Sequence, residues 1–231
     1  MKNFLATLLL AFFMQGAKAQ EYVVSEDIAI DSTIEKRGPN RKHYRHSYMN
    51  FGSCIDAGEI GAQVKQPRID HFTFGVRYKR RLAEHVALGY DINYTINDYA
   101  LKQEIGKKIP TVLLNKRERM IFNIFEGALF ARINIGRRGN QLGKFIDLGG
   151  YGSVTVAHTH FTLNTFPDGS KVRTRTNGLK YFQRFNYGVN ARLGMNKLAV
   201  FGRYRISDMF YSNWDFSELP RIIAGIEFNL R

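Results

Sequence analysis

Between Val86 and Ile96 every second residue is large and apolar: Val86, Leu88, Tyr90, Ile92, Tyr94 and Ile96. The residues between them, Ala87, Gly89, Asp91, Asn93 and Thr95, are small or polar. Successive side chains of a β-strand point to opposite faces, so a period of two gives one apolar and one polar face, which no helix of period 3.6 reproduces. Upstream, Phe72, Phe74, Val76 and Tyr78 alternate with His71, Thr73, Gly75, Arg77 and Lys79. Only Arg80 to His85 separates the two runs, which predicts a hairpin.

The pattern recurs to the end of the chain. Phe125, Leu129, Ala131, Ile133 and Ile135 alternate with Glu126, Ala128, Phe130, Arg132 and Asn134, although Phe122 and Ile124 fall on the polar side. Ile146, Leu148, Val154 and Val156 alternate with Asp147, Gly149, Tyr151, Ser153 and Thr155. Tyr181, Phe185, Tyr187, Val189, Ala191 and Leu193 oppose Arg184, Asn186, Gly188, Asn190 and Arg192. Leu198, Val200, Tyr204 and Ile206 oppose Phe201, Arg203 and Arg205. Ile222, Ala224, Ile226, Phe228 and Leu230 oppose Arg221, Gly225, Glu227 and Asn229. A first strand near Tyr48 to Ile55, with Met49, Phe51 and Ile55 on its apolar face, brings the count to eight. Connections alternate in length. Those at 80–85, 136–143 and 194–197 are short, and those at 56–69, 97–119, 157–178 and 207–219 are long. An even strand number with short turns at one end and long loops at the other is the wiring of an up-and-down antiparallel barrel.

The N-terminus reads as an export signal. Met1 to Asn3 is a short positive segment, Phe4 to Phe13 is apolar, and Ala17-Lys18-Ala19 gives the small-x-small pattern that places a cut before Gln20. The expected organisation is a signal peptide at 1–19, a mostly irregular periplasmic leader at 20–47 and one barrel at 48–231. Cys54 is the only cysteine and lies far from the cut, so neither a lipid anchor there nor an internal disulfide is expected. Beyond the cut no apolar run approaches the roughly 20 residues of a membrane helix, so any crossing falls to strands. Lys and Arg number 34 against 20 Asp and Glu; without Lys2 and Lys18 the difference is 32 − 20, or +12. That surplus favours anionic neighbours, and export argues against nucleic acid.

Which face meets lipid follows from composition. The polar face carries Gly, Asn, Ser, Thr, Arg and carboxylates but few Lys, as suits a cramped lumen with geometrically matched Arg–carboxylate pairs. Tyr78, Tyr94, Tyr181 and Tyr204 lie toward strand ends on the apolar face, where aromatic girdles form. Together with the amphipathic closing strand, these features favour lipid outside over a soluble barrel with an apolar cavity. The export signal, the eight amphipathic strands and the ending Ile222 to Arg231 resemble the small outer-membrane β-barrel (porin-like, OmpA/OmpX-shaped) family, nearest the PorT-like barrels of type IX secretion. The resemblance implies an integral outer-membrane protein with a structural or accessory role, as a subunit of a protein-secretion or envelope-assembly machine. Its partners would be outer-membrane lipid, lipopolysaccharide and envelope proteins.

Eight strands enclose a bore just filled by side chains. The inward list, Arg77, Lys79, Asp91, Glu126, Arg132, Asp147, Arg184, Arg192, Arg203, Arg205 and Glu227, reads as a salt-bridged plug. Lys171, Arg173 and Arg175, beside the turn Asp168-Gly169-Ser170, form a basic loop able to touch glycolipid phosphates. Three alternatives to the accessory role remain: a free-standing barrel that binds an anionic ligand or lipopolysaccharide through that loop, a lipid-modifying outer-membrane enzyme, and a soluble exported ligand-binding barrel. His158-Thr159-His160 is the nearest thing to a catalytic or metal constellation, but no third ligand or nucleophile stands at a telling spacing, so no catalytic residue, metal or cofactor is assigned. The expected behaviour is outer-membrane recovery with a gel mobility that changes on boiling; soluble periplasmic recovery without a shift would turn the barrel inside out.

Overall fold

The computed structural model describes residues 38–39, 41–55, 61–66, 68–136, 141–214 and 216–230. The export signal and nearly all of the leader lie outside the described residues. The strands are β1 (His43–Ile55), β2 (His71–Arg81), β3 (Val86–Ala100), β4 (Arg117–Ile135), β5 (Lys144–Thr165), β6 (Lys171–Asn177), β7 (Phe185–Met195), β8 (Leu198–Arg205) and β9 (Ile222–Leu230). All pairings are antiparallel, and β4 pairs with β5 while β1 pairs with β9. The sheet therefore closes as a ring of eight, β1-β2-β3-β4-β5-β7-β8-β9, with β6 attached to β5 alone.

The boundaries differ most from the alternation at two places. β1 begins at His43 rather than near Tyr48, because Tyr44 to Ser47 offers polar or aromatic side chains on both faces and no contrast to read. The span 157–178, expected as a loop, is an extended hairpin: β5 runs on to Thr165 and β6 returns beside it.

Burial fixes the faces. Ile92, Leu129 and Phe185 are 61%, 72% and 73% exposed on the outside, while Arg77, Arg132 and Glu227 inside are fully buried. That is the inverse of a soluble barrel, and it matches a lipid-facing wall. From Val86 to Ile96 the outer stripe rises roughly 33 Å along the strand, or about 25 Å at a tilt near 40°, the height of such an apolar band. Tyr94 and Tyr204 lie on this outer face. Tyr78 is hydrogen-bonded to His43 Nδ1 at 2.6 Å. Tyr181 departs from the expected girdle: it packs with Phe182, Trp214 and Phe216 among the long loops.

The interior has two storeys. Toward the short turns it is polar and charged. Toward the long loops it is apolar, with Tyr99, Met120, Phe122, Ile124 and Cys54 from the wall meeting Val64, Leu101, Ile109, Phe182, Phe210 and Leu219. This explains why Phe122 and Ile124 stand on the polar parity: they face the cap, not lipid. Val64↔Leu101 and Phe182↔Phe210 bridges fold the long connections inward. A β-bulge separates the storeys on β5. Ile124 pairs with Thr155 but Asn123 with Ala157, so Val156 has no counterpart and the parity of β5 changes beyond it.

Small residues let inward rings lie flat against neighbouring strands. A Cβ on Gly194 would fall 2.1 Å from Phe145 Cζ, and one on Gly75 would fall 2.8 Å from Tyr48 Cζ. Gly194→Val should therefore destabilise the barrel by about 1–3 kcal/mol through overpacking. Gly202, whose Cβ would meet nothing within 4 Å, should tolerate valine. Denaturant midpoints in detergent read by the heat-dependent mobility shift compare the two; equal stability would refute the interlock.

Candidate functional site

Register brings the lumen charges face to face. Arg77 stands opposite Asp91 across β2–β3, Arg132 opposite Asp147 across β4–β5, and Asp147 opposite Arg192 across β5–β7. Arg77 donates from Nε to Asp91 Oδ1 at 2.8 Å and from Nη2 to Glu227 Oε2 at 2.9 Å. Arg132 grips Asp147 with two bonds, Nε to Oδ1 at 2.6 Å and Nη2 to Oδ2 at 2.8 Å. Arg192 donates to Asp91, and its Nη1 lies 3.9 Å from Glu227 Oε2. Each guanidinium also lies over an aromatic face: Arg77 on Tyr48 at 4.2 Å, Arg132 on Phe145 at 3.8 Å, Arg192 on Phe130 at 4.7 Å and Arg203 on Tyr151 at 4.1 Å. Weakly hydrated, planar guanidinium suits this double contact as ammonium does not.

Of the residues expected inside, Arg77, Asp91, Arg132, Asp147, Arg192 and Glu227 form this one network. Arg203 pairs separately with Glu126. Arg205 turns toward the cap, donating to Glu218 at 2.9 Å and to the carbonyl oxygens of Ser207 and Leu219. Lys79 is buried near the short turns and donates to the Pro39 carbonyl at 2.6 Å. Arg184 is the exception: it is exposed, because β7 starts only at Phe185 and parity does not extend past a strand's end.

The buried charges nearly balance. Among the described residues, the cations Arg77, Lys79, Lys107, Arg132, Arg192 and Arg205 stand against the carboxylates Asp70, Asp91, Glu118, Glu126, Asp147, Glu218 and Glu227, and the half-buried Arg203 pairs with Glu126. Little room is left. A cavity of about 30 Å³ lies between Glu126, Tyr151, Arg203 and Arg205, and one of about 10 Å³ lies between Tyr48, Asp91 and Arg192. Spaces of that size hold a water or so each.

Near the long-loop mouth, Glu118 accepts from His160 at 2.8 Å and from Asn115 Nδ2 at 2.9 Å, and pairs with Lys107. His158 packs on Phe182. No group of three His, Cys, Asp or Glu side chains able to hold a metal occurs among the described residues. The Cys54 thiol donates to Asp70 Oδ2 at 2.7 Å, and burial pushes that carboxyl above its usual range. Lys171, Arg173 and Arg175 are brought together, exposed, as alternate residues of β6. What parity alone missed is the aromatic half of the lumen; Tyr48, Phe130 and Phe145 on the polar parity were its signal.

A family model described as outer membrane protein beta-barrel domain matches residues 40–207. Comparison with curated proteins finds no match.

Removing one member of the network leaves buried charge uncompensated. Arg77→Met should cost about 3–5 kcal/mol. Adding Glu227→Met should recover part of that loss, measured as denaturant midpoints in detergent. Additive losses would mean that the two side chains do not act as a pair.

Proposed function

The chain belongs to the outer membrane protein β-barrel family, and from that premise we propose that this integral barrel is a sealed scaffold, a structural or accessory subunit of a protein-secretion or envelope-assembly machine. The observation that carries this reading is the closed interior. A matched charge network fills the lower lumen, and an apolar cap fills the upper one. A barrel that transmits nothing through its bore acts through its rims, loops and outer wall. In this reading it catalyses no reaction: His160 is held by Glu118, and His158 packs on Phe182.

Two measurements test the proposal. The purified protein in a planar bilayer should give no stable conductance steps; a steady channel would overturn the sealed reading. Extracted from its own membrane in mild detergent and separated under native conditions, it should migrate with envelope proteins, well above the mass of one barrel. Migration as a lone barrel would remove the accessory role and leave the fold untouched.

A further inference from the structure

Above the bulge, register assembles a surface that the chain order conceals. Directly opposed residues in an antiparallel ladder share a face. Arg119 pairs with Phe161, and Phe161 with Arg175; Arg117 pairs with Leu163, and Leu163 with Arg173. Lys171 pairs with Thr165 on the same side. Two rows therefore cross three strands in the order Arg–aromatic–Arg and Arg–Leu–Arg, with Lys171 beyond them. By parity along β4 this face continues through Ile121 to Phe125, which is 55% exposed on the lipid-facing wall.

The height fits a headgroup layer. Asn123, which accepts from the Tyr94 hydroxyl at 2.8 Å, sits on the outer wall where the apolar stripe gives way to polar groups. Arg119 lies roughly 10 Å further along the membrane normal, at about 3.3 Å per residue and a tilt near 40°. Arg119 shares the Asp98 carboxylate with Arg68, two cations on one anion. Asp168, at the hairpin tip, is occupied by Ser170. Among the described residues, Arg117, Lys171, Arg173 and Arg175 have no carboxylate partner, and all four are exposed.

We infer that this face binds the phosphorylated headgroup of an outer-leaflet glycolipid. The arginines would contact phosphate oxygens, and Phe161 and Leu163 would lie against the sugar and upper acyl region. Continuity with the lipid-facing stripe selects a lipid occupant, because a ligand seated here already has its tails against Phe125 and Ile121. Planar guanidinium matches phosphate with paired hydrogen bonds, and a net positive surface beside the membrane concentrates anionic lipid. The inference stands apart from any machine the barrel serves.

The test uses the full chain in neutral detergent micelles, with bisphosphorylated lipid A and its dephosphorylated counterpart as probes. Saturable binding of the phosphorylated form is expected. The triple variant Arg117→Gln, Arg173→Gln, Arg175→Gln should raise its Kd at least about tenfold, since each surface cation adds to the attraction for anionic lipid. Dephosphorylated lipid A should bind the unmodified protein about as weakly as the phosphorylated form binds the variant, and millimolar inorganic phosphate should not displace the lipid. The idea fails if both lipids bind alike, if a variant that keeps its heat-dependent mobility binds as before, or if free phosphate competes fully. Should the triple variant not fold, the hairpin-only pair Arg173→Gln, Arg175→Gln carries the same comparison.

Discussion

Everything in this molecule depends on the seam between β1 and β9. Hydrocarbon offers no partner for a backbone N–H or C=O, so a sheet can stand in lipid only if it has no edge. The ladder from Ser47↔Leu230 to Ile55↔Ile222 removes the edge. Closing at eight strands then sets the bore, and the bore is narrow enough that inward side chains must fill it. Half of each strand is thereby committed to an enclosed, crowded space, and the identity of those residues becomes a packing problem as much as an electrostatic one.

The solution differs by level. In the lower lumen, desolvated arginines are held between carboxylates and ring faces, and glycines on adjacent strands make room for the rings. Buried ion pairs of this kind are weak evidence for stability. Here their geometry ties β2, β3 and β9 through Arg77, and β3, β5 and β7 through Arg192, so they favour one strand register over its neighbours. In the upper lumen the loops supply an ordinary apolar core, with the Arg205–Glu218 pair pinning the last long connection beneath it.

Much of this was legible because barrel strands carry a simple period. Val86 to Ile96, the direction of each face and the alternation of turn lengths all follow from it. What was lost lay where a second residue class replaced the expected one. Phe122 and Ile124 looked like noise on a polar face because the cap they join is built from distant loops. The start of β1 was hidden where both faces are polar. Arg184 was placed inside by extending parity beyond the ladder, and β6 was read as loop because its side chains are exposed on both faces and show little apolar contrast. The single extra residue at Val156 was invisible, since a bulge changes phase without changing composition.

The near-balance of buried charge has a further consequence. Since the buried groups of the described residues carry no excess of basic over acidic side chains, the chain's surplus of basic residues belongs to its more exposed rims and loops. Dissolved ions reach those regions and not the lumen, and at physiological ionic strength they screen exposed charge beyond about 8 Å. Ionic strength thus acts as a selective dial on this barrel: it tunes how strongly the protein holds anionic neighbours while leaving the cohesion of its interior almost untouched.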